Sequence, residues 1–196
     1  MPGCGRIKGF AGRFVMSSLL CLGFWQFGQG AYIPAKAWVA QELMQRAWQR
    51  AESGKRQPAP WPWADTWPVA RLTARGGDIE LIVLEGGSGR TLAFGPGHLD
   101  ISALPGQKGN SIIAGHRDTH FQFLRFLAVG ETLQVELPGG RRHLYRVTHV
   151  DVVDSRRASL ILDTEVPMLS LVTCYPFDAL QAGGPMRYVV SAQLIF

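Results

Sequence analysis

The sequence predicts an all-β domain, a closed or nearly closed β-barrel, that follows an N-terminal helical region. After Pro68 the chain consists of short runs rich in β-branched and aromatic residues, which are separated by glycine and aspartate clusters. Many short strands at such spacing favour a barrel, in which no strand edge is left open. The predicted strands are 69–73, 79–84, 111–114, 132–137, 143–153, 168–173 and 187–195.

Three of the connections between these strands carry signals of their own. Residues 85–89 (EGGSG) and 138–140 (PGG) are rich in glycine and predict hairpin turns. Residues 121–128 predict one or two helical turns after a loop. The segment 85–89 does not predict a phosphate-binding loop, because no Lys-Ser or Lys-Thr pair follows it.

The composition indicates a single folded domain of ordinary size. The chain has 196 residues, of which 46% are apolar and 18% are charged, and this balance argues against disorder. The net charge is +5, but Arg6, Lys8 and Arg13 supply three of these charges ahead of an apolar segment. The remaining domain has no basic stripe, so nucleic acid is not an expected partner.

The segment 14–33 predicts a transmembrane signal anchor. It has no charged residue, is about as long as the ~20 residues that cross a bilayer, and carries Trp25, Phe27 and Tyr32 towards its end. The basic segment 1–13 is then expected to stay in the cytoplasm. We therefore expect a single pass through the inner (cytoplasmic) membrane, with the rest of the chain on the periplasmic side.

Two other interpretations of this segment remain open. A cleavable signal peptide is the first, since Gly28, Gly30 and Ala31 are small, although no clear A-x-A site follows. Lipoprotein processing at Cys21 is the second, but the small residues expected before a lipidated cysteine are absent.

The segment 34–68 connects the anchor to the predicted β-barrel domain, 69–196. Its first part, 35–52, predicts an amphipathic helix. Its second part, 58–68, contains prolines and tryptophans that exclude a helix and favour an extended strap packed on the domain. The apolar face of the predicted helix consists of Val39, Leu43, Met44, Ala47, Trp48 and Ala51.

Cys174 is the only cysteine in the predicted exported part of the chain. The other two, Cys4 and Cys21, lie before or inside the predicted membrane segment. Structural cysteines in an oxidising compartment are normally paired, and neither of these two can easily reach Cys174. We therefore expect Cys174 to be unpaired and available as a nucleophile.

His116 and Arg187 complete a candidate acyl-transfer site. A thiolate attacks carbonyl carbon, a histidine can protonate a leaving amine and later deprotonate an incoming one, and a guanidinium can bind an oxyanion. If the last two strands are antiparallel neighbours, Cys174 and Arg187 face each other across the mouth of the loop 175–186. His116 follows the strand 111–114 and can approach the same rim.

The motifs around these residues resemble the sortases, a family of membrane-anchored cysteine transpeptidases. The strap and the run 174–177 (CYPF) are similar to the Gram-negative, marine proteobacterial branch. One departure is Ser170, where the family motif before the cysteine usually begins with threonine. The matching motifs are 95–98 (GPGH), 104–110 (LPGQKGN), 113–121 (IAGHRDTHF), 171–174 (LVTC) and Arg187.

The resemblance implies a closed eight-stranded β-barrel with short helices. It implies that Cys174 attacks the threonine carbonyl of an LPxTG-like sorting signal, that His116 acts as acid and base, and that Arg187 stabilises the oxyanion. The implied partners are a secreted protein with a C-terminal sorting signal, an amine acceptor and the membrane, with no cofactor and no metal. His98, His120 and Thr173 are candidates for substrate binding.

Other functions remain open at this point. His116 and His120, with Cys174 or His98, could bind zinc, although the glutamate that follows the first histidine of zinc peptidases is absent. Cys174 could be a buried core residue of a non-enzymatic periplasmic β-barrel that binds a peptide or a membrane partner. Another thiol peptidase acting on cell-wall peptides is a third alternative, but the chain lacks the Ser-His-Gly-Cys run of L,D-transpeptidases.

Overall fold

The structure, a computed structural model, describes residues 4–179, 181 and 183–196, and leaves out the side chains of residues 4–15, 21, 24, 27–31, 33 and 34. The chain forms two compact units, 1–41 and 42–196. Its elements are α1 (Cys4–Glu52), β1 (Pro68–Ala74), β2 (Ile79–Glu85), α2 (Gly89–Leu92), β3 (Gly97–His98), β4 (Asn110–Ala114), β5 (Thr132–Glu136), β6 (Arg142–Asp154), β7 (Met168–Cys174) and β8 (Met186–Leu194).

Helix α1 is continuous, whereas the sequence predicted two helices that meet at Pro34. A proline removes one backbone donor and costs about 3 kcal/mol inside a helix, so a break at Pro34 was the expected outcome. Among the described residues, no helix combines the length and the apolar character needed to cross a membrane. The segment 14–33 lies within α1 and is helical. Its role as a membrane anchor stays a prediction.

The last turns of α1 belong to the second unit and bury one face. Met44 and Trp48 are 1% and 0% exposed, and Ala47 and Ala51 are buried with them at helical spacing. This confirms the amphipathic pattern predicted for these positions. Val39, in the first unit, is 47% exposed and does not belong to the buried face.

The proline- and tryptophan-rich strap is packed on the domain, as predicted. The Thr66 hydroxyl donates to the backbone oxygen of Glu85 at 2.6 Å. The rings of Trp61 and Phe94 pack edge to face, with their centroids 4.7 Å apart. Trp63 is the exception, because 80% of its side chain is exposed. The strap is therefore anchored through the end of β2 and the segment after α2.

The eight strands form a closed barrel in the order β1-β2-β3-β4-β7-β8-β6-β5, and β5 pairs with β1 to complete it. The β2–β3 and β4–β7 pairs are parallel, and the other pairs are antiparallel. The closed barrel with eight strands confirms the predicted fold class.

Strand β3 was not among the seven strands predicted from the runs of apolar residues. It has only Gly97 and His98, which is too short to show an alternating pattern. It forms because its backbone pairs with β2 on one side and with β4 on the other.

The prediction of a hairpin turn at 85–89 is wrong. Strands β2 and β3 are parallel, so the connection between them must cross over instead of turning back. Gly86 turns the chain with a φ of +90°, and the Ser88 hydroxyl then accepts a hydrogen bond from the Thr91 backbone at 3.1 Å to cap α2.

The other two predicted connections agree with the structure. Gly139 and Gly140 have φ angles of +91° and +81° and join the antiparallel strands β5 and β6, which confirms the hairpin turn at 138–140. The helical turns predicted at 121–128 are a 3-10 helix at Gln122–Phe126.

Alternate residues of the long strands fill the barrel. In β7, Leu169 and Leu171 are 0% exposed and point inward, which leaves Val172 and Cys174 on the outer face. The inward residues of the other strands and of the 3-10 helix pack around them as one core, which includes Leu72, Val83, Ile113, Phe121, Leu124, Leu133, Val135, Tyr145 and Val190.

Replacement of Trp48 tests how much the buried face at the end of α1 stabilises the second unit. Trp48 is fully buried, and the Arg71 guanidinium lies 4.9 Å from its ring centre. We expect Trp48→Ala to lower the free energy of unfolding by about 3–5 kcal/mol, measured by urea denaturation. The exposed Trp63→Ala is the matched control, with an expected change within about 0.5 kcal/mol. Equal effects of the two substitutions would contradict this packing.

Candidate active site

Strands β4, β7 and β8 lie side by side and bring the three predicted site residues to one end of the barrel. Cys174 and Arg187 are directly opposite each other in the antiparallel β7–β8 pair, so the predicted strand pairing is confirmed. In the parallel β4–β7 pair, Ala114 is opposite Val172. His116, two residues after Ala114, therefore lies at the level of Cys174.

The same alternation places Cys174 and Arg187 on the outer face of the sheet. Leu171 and Val190 point into the barrel and are 0% exposed. Val172 and Val189 are opposite each other on the outer face, and Cys174 and Arg187 follow at a spacing of two residues. A substrate on this face can reach both side chains.

An apolar groove of about 460 Å³ extends along this outer face. Its floor includes Ile112, Val172 and Val189 from β4, β7 and β8, and Arg187 lies among its lining residues. The loop between β6 and β7 contributes Leu160 and Leu162 to its wall. The groove therefore offers an apolar peptide side chain a binding surface beside Arg187, the residue opposite Cys174 in the β7–β8 pair.

The Cys174 side chain is partly exposed and unpaired. Among the described residues, no hydrogen bond joins its sulfur to the His116 ring, which is itself exposed. Catalytic hydrogen bonds are often long before a substrate binds, so this geometry is compatible with a nucleophile and base that engage on binding.

Arg187 is held by its own loop through one nitrogen. Its Nη1 donates to the backbone oxygens of Gly184 at 2.6 Å and of Met186 at 2.9 Å. A guanidinium has five N–H donors, and the N–H groups on Nε and Nη2 have no protein acceptor among the described residues. These donors can bind a substrate carbonyl or an oxyanion without breaking the contacts that orient the side chain.

His116 is presented by a short loop that folds back onto the barrel. The backbone N–H of Phe121 donates to the His116 carbonyl at 2.9 Å, and the Phe121 ring is fully buried. Gly115 allows the close approach of this ring, because a Cβ atom at position 115 would lie 2.8 Å from it. The glycine before His116 and the phenylalanine five residues later thus fix the base of the loop.

His120 lies close enough to His116 for their charges to interact. Burial of the His120 ring and, to a smaller extent, the His116 charge lower the pKa of His120 from its ordinary value of 6.5. A neutral His120 adds no second positive charge beside His116. Its predicted contact with a substrate stays a prediction.

Thr173 lies on the inner face, opposite to Cys174. Its side chain is 3% exposed, and its hydroxyl donates to the Gly115 carbonyl at 2.7 Å. This bond fastens the end of β7 to the residue before His116. The contacts therefore indicate a positioning role, and the predicted contact of Thr173 with substrate stays a prediction.

His98 is buried in a polar cluster on β3. Its side chain is 2% exposed, its Nδ1 lies 3.4 Å from Glu85 Oε2, and its Nε2 lies 3.0 Å from the Ala103 carbonyl oxygen. Its Nε2 also lies 3.2 Å from the Ser102 hydroxyl, which donates to the Leu99 carbonyl at 2.6 Å. His98 thus holds the loop that supplies Leu99 and Ile101 to the groove.

Two further residues hold the groove wall and were not predicted for this role. The Ser170 hydroxyl donates to Asn110 Oδ1 at 3.0 Å, and Asn110 Nδ2 donates to the Ile161 carbonyl at 3.0 Å. The Asn110 backbone N–H also donates to Leu162 at 2.8 Å. The serine at the first position of the cysteine motif therefore orients the amide that fastens the β6–β7 loop.

The zinc alternative gains no support from this geometry. Within the described part of the chain, no group of three or more histidine, cysteine or acidic side chains is arranged to hold a metal ion.

Comparison with known proteins gives a consistent assignment. The sortase domain model matches residues 72–195. Sortase D from Bacillus subtilis (strain 168) is 35% identical over 114 residues, which cover 58% of this chain and 57% of that protein. The aligned part thus spans little more than half of that relative.

Solved structures share the fold. The catalytic domain of B. anthracis SrtD is 30% identical, with a TM-score of 0.55 over 66% of this chain and 88% of that one. A lid mutant of sortase A from Corynebacterium diphtheriae is 23% identical, with a TM-score of 0.61 over 81% of this chain and 94% of that one. The domain match includes His116, Cys174 and Arg187, and the chain belongs to the sortase family.

Proposed function

We propose that this protein is a cysteine transpeptidase. It cleaves an LPxTG-like sorting signal in a secreted protein and transfers the acyl part to an amine acceptor. One observation supports this most strongly: Cys174 and Arg187 form a cross-strand pair on the face that carries the apolar groove, and His116 follows the neighbouring strand at the same level.

The first half of the reaction forms a thioester. The Cys174 thiolate attacks the carbonyl carbon of the threonine residue, and a carbon–sulfur bond forms as the carbonyl oxygen becomes an oxyanion. The N–H groups on Nε and Nη2 of Arg187 bind this oxygen. The carbon–nitrogen bond then breaks, and the His116 imidazolium gives its proton to the leaving amine.

The second half transfers the acyl group. The acceptor amine loses a proton to neutral His116 and attacks the thioester carbonyl, and Arg187 again binds the oxyanion. A new carbon–nitrogen bond forms, the carbon–sulfur bond breaks, and the Cys174 thiolate is regenerated. One amide replaces another, so the balance of the reaction needs no cofactor.

The groove supplies the binding energy for the sorting signal. Its lining is mostly apolar, and an apolar residue such as the leucine of LPxTG can bury its side chain between Val172 and Leu162. A fully buried leucine contributes about 1.5–3 kcal/mol. Binding in this groove directs the threonine carbonyl towards the end of β7.

We also propose that the segment 14–33 anchors the protein in the inner membrane of a Gram-negative bacterium. The uncharged segment, the basic residues before it and the strap similar to that branch support this location. The full chain is then expected in the membrane fraction, with residues 69–196 digested by protease added outside spheroplasts. Recovery in the soluble fraction, or protection from the protease, would contradict the proposal.

Intact-mass analysis tests the chemistry. The full chain is incubated with a library of LPxTG-type peptides. We expect an acyl adduct on Cys174 that is absent from Cys174→Ala and is released by an added amine. Arg187→Gln is expected to form the adduct about 100-fold more slowly, while its thiol still reacts with a small thiosulfonate.

Each other result of this experiment has a definite meaning. A reactive thiol without an adduct would indicate a different recognition signal or a thiol peptidase. A thiol that resists the small reagent in the folded protein would favour a non-enzymatic binding domain. An adduct on Cys174→Ala would exclude Cys174 as the nucleophile.

The two histidines near the thiol can be followed by NMR titration. His120 is expected to titrate below 6.5, because burial and the His116 charge both lower its pKa. His116→Ala removes only the second cause, so the pKa of His120 is expected to rise but to stay below 6.5. The control is His143, whose pKa is lowered by burial and by Arg141. An unchanged His120, or an equal shift of His143, would contradict the coupling.

A further inference from the structure

Arg117, the residue after His116, has a buried side chain that reaches another loop. Its side chain is 5% exposed. Nη1 donates to the Pro176 carbonyl at 2.7 Å, and Nη2 donates to the carbonyls of Ala179 at 2.6 Å and of Gln181 at 3.3 Å. One guanidinium thus binds three backbone oxygens of the loop between β7 and β8.

The remaining nitrogen of Arg117 is also bonded. Nε donates to Asp118 Oδ1 at 3.1 Å, and the Asp118 side chain is 67% exposed. The buried charge therefore depends mainly on the loop carbonyls, since a partly hydrated carboxylate gives limited compensation. A buried guanidinium without acceptors is strongly unfavourable, so the contact constrains both partners.

The position of this loop in the chain gives the contact its significance. The loop begins at Tyr175, directly after Cys174, and ends at Pro185, two residues before Arg187. The bonds from Arg117 hold its first part, and the bonds from Arg187 to Gly184 and Met186 hold its end. The Arg117 guanidinium therefore binds the first part of the loop, and the Arg187 guanidinium binds its end.

We propose that Arg117 is a positioning residue for the transfer reaction. By binding the carbonyls of Pro176, Ala179 and Gln181 it fixes these residues of the loop that follows Cys174. Through its peptide bond to His116 it ties the acid–base residue to the same loop. We call these bonds from Arg117 to the loop carbonyls the Arg117 clamp. The spacing of His116, Cys174 and Arg187 then depends on this clamp. The inference rests on the proposed transpeptidase function, and Arg117 itself contacts neither substrate nor the reacting atoms.

A clamp with this geometry affects turnover more than substrate affinity. Arg117 does not line the groove, so the surface that binds the apolar part of the peptide is unchanged when it is removed. A displacement of about 1 Å in reacting groups can lower the rate about 100-fold. Loss of Arg117 should therefore lower kcat while KM changes little.

The test compares the full chain with Arg117→Ala, Arg117→Lys and a control, Arg90→Ala. Arg90 is exposed and pairs with Asp65 on the strap. For Arg117→Ala we expect kcat to fall about 30- to 100-fold with KM changed less than about threefold, while thiosulfonate modification of Cys174 continues. Added guanidinium ion at millimolar concentration is expected to restore kcat at least about fivefold, because it occupies the vacated site.

Arg117→Lys keeps the charge and most of the volume but lacks the planar donor fork. We expect it to fold and to lose about tenfold in kcat, and this variant decides the question if Arg117→Ala does not fold. If Arg117 were only structural, its replacement would lower the melting temperature, and added guanidinium would not raise kcat. The proposal is overturned if the kcat of the folded Arg117 variants lies within about threefold of the wild-type value. It is also overturned if added guanidinium raises the kcat of neither variant.

Failure of the proposed function gives a different pattern. In that case the unsubstituted protein and the Arg90→Ala control form no acyl adduct with any peptide. Activity in both of these proteins, with unchanged activity in the Arg117 variants, contradicts only the inference about Arg117.

Discussion

The pairing register of β4, β7 and β8 is the constraint on which the rest of the site depends. The antiparallel β7–β8 pair sets Cys174 opposite Arg187, and the parallel β4–β7 pair brings the residue after Gly115 to the same level. A slip of one residue in either pair would turn the side chains to the other face of the sheet. The buried leucines of β7 oppose such a slip, because it would expose them to water.

Buried polar contacts fix the loops around this frame. Thr173 bonds to Gly115, Asn110 bonds to the β6–β7 loop, and Arg117 bonds to the β7–β8 loop. Each of these side chains is at most 6% exposed, so the loss of a partner would leave a desolvated polar group. Buried side chains thus hold the groove and the loops of the site in shape.

Much of the barrel could be predicted from the sequence, because alternation and turn residues are local signals. The strand 168–173 was predicted within one residue of Met168–Cys174, and the two glycines at 139 and 140 gave the hairpin that follows β5. Strand β3 could not be predicted in this way, since its two residues owe their conformation to the neighbouring strands. The segment 85–89 was misassigned because glycines permit a hairpin and a crossover equally well.

In the candidate site, too, some residues could be recognised from the local sequence, and others only from contacts with distant parts of the chain. The motifs around His116 and Cys174 made these residues candidates without any structure. The roles of other residues depend on partners far along the chain: Arg117 binds carbonyls 59 to 64 positions later, and Asn110 binds one 51 positions later. His98 has a motif compatible with a cleft residue, yet Glu85 and Ala103 enclose it.

The most direct test of this account is a crystal structure of the protein with an LPxT peptide analogue linked to the Cys174 sulfur. The account predicts that the peptide lies in the groove beside Val172 and Leu162, with its last carbonyl oxygen hydrogen-bonded to Nε or Nη2 of Arg187. A peptide that leaves the groove empty, with Arg187 bonded only to Gly184 and Met186, would contradict the account.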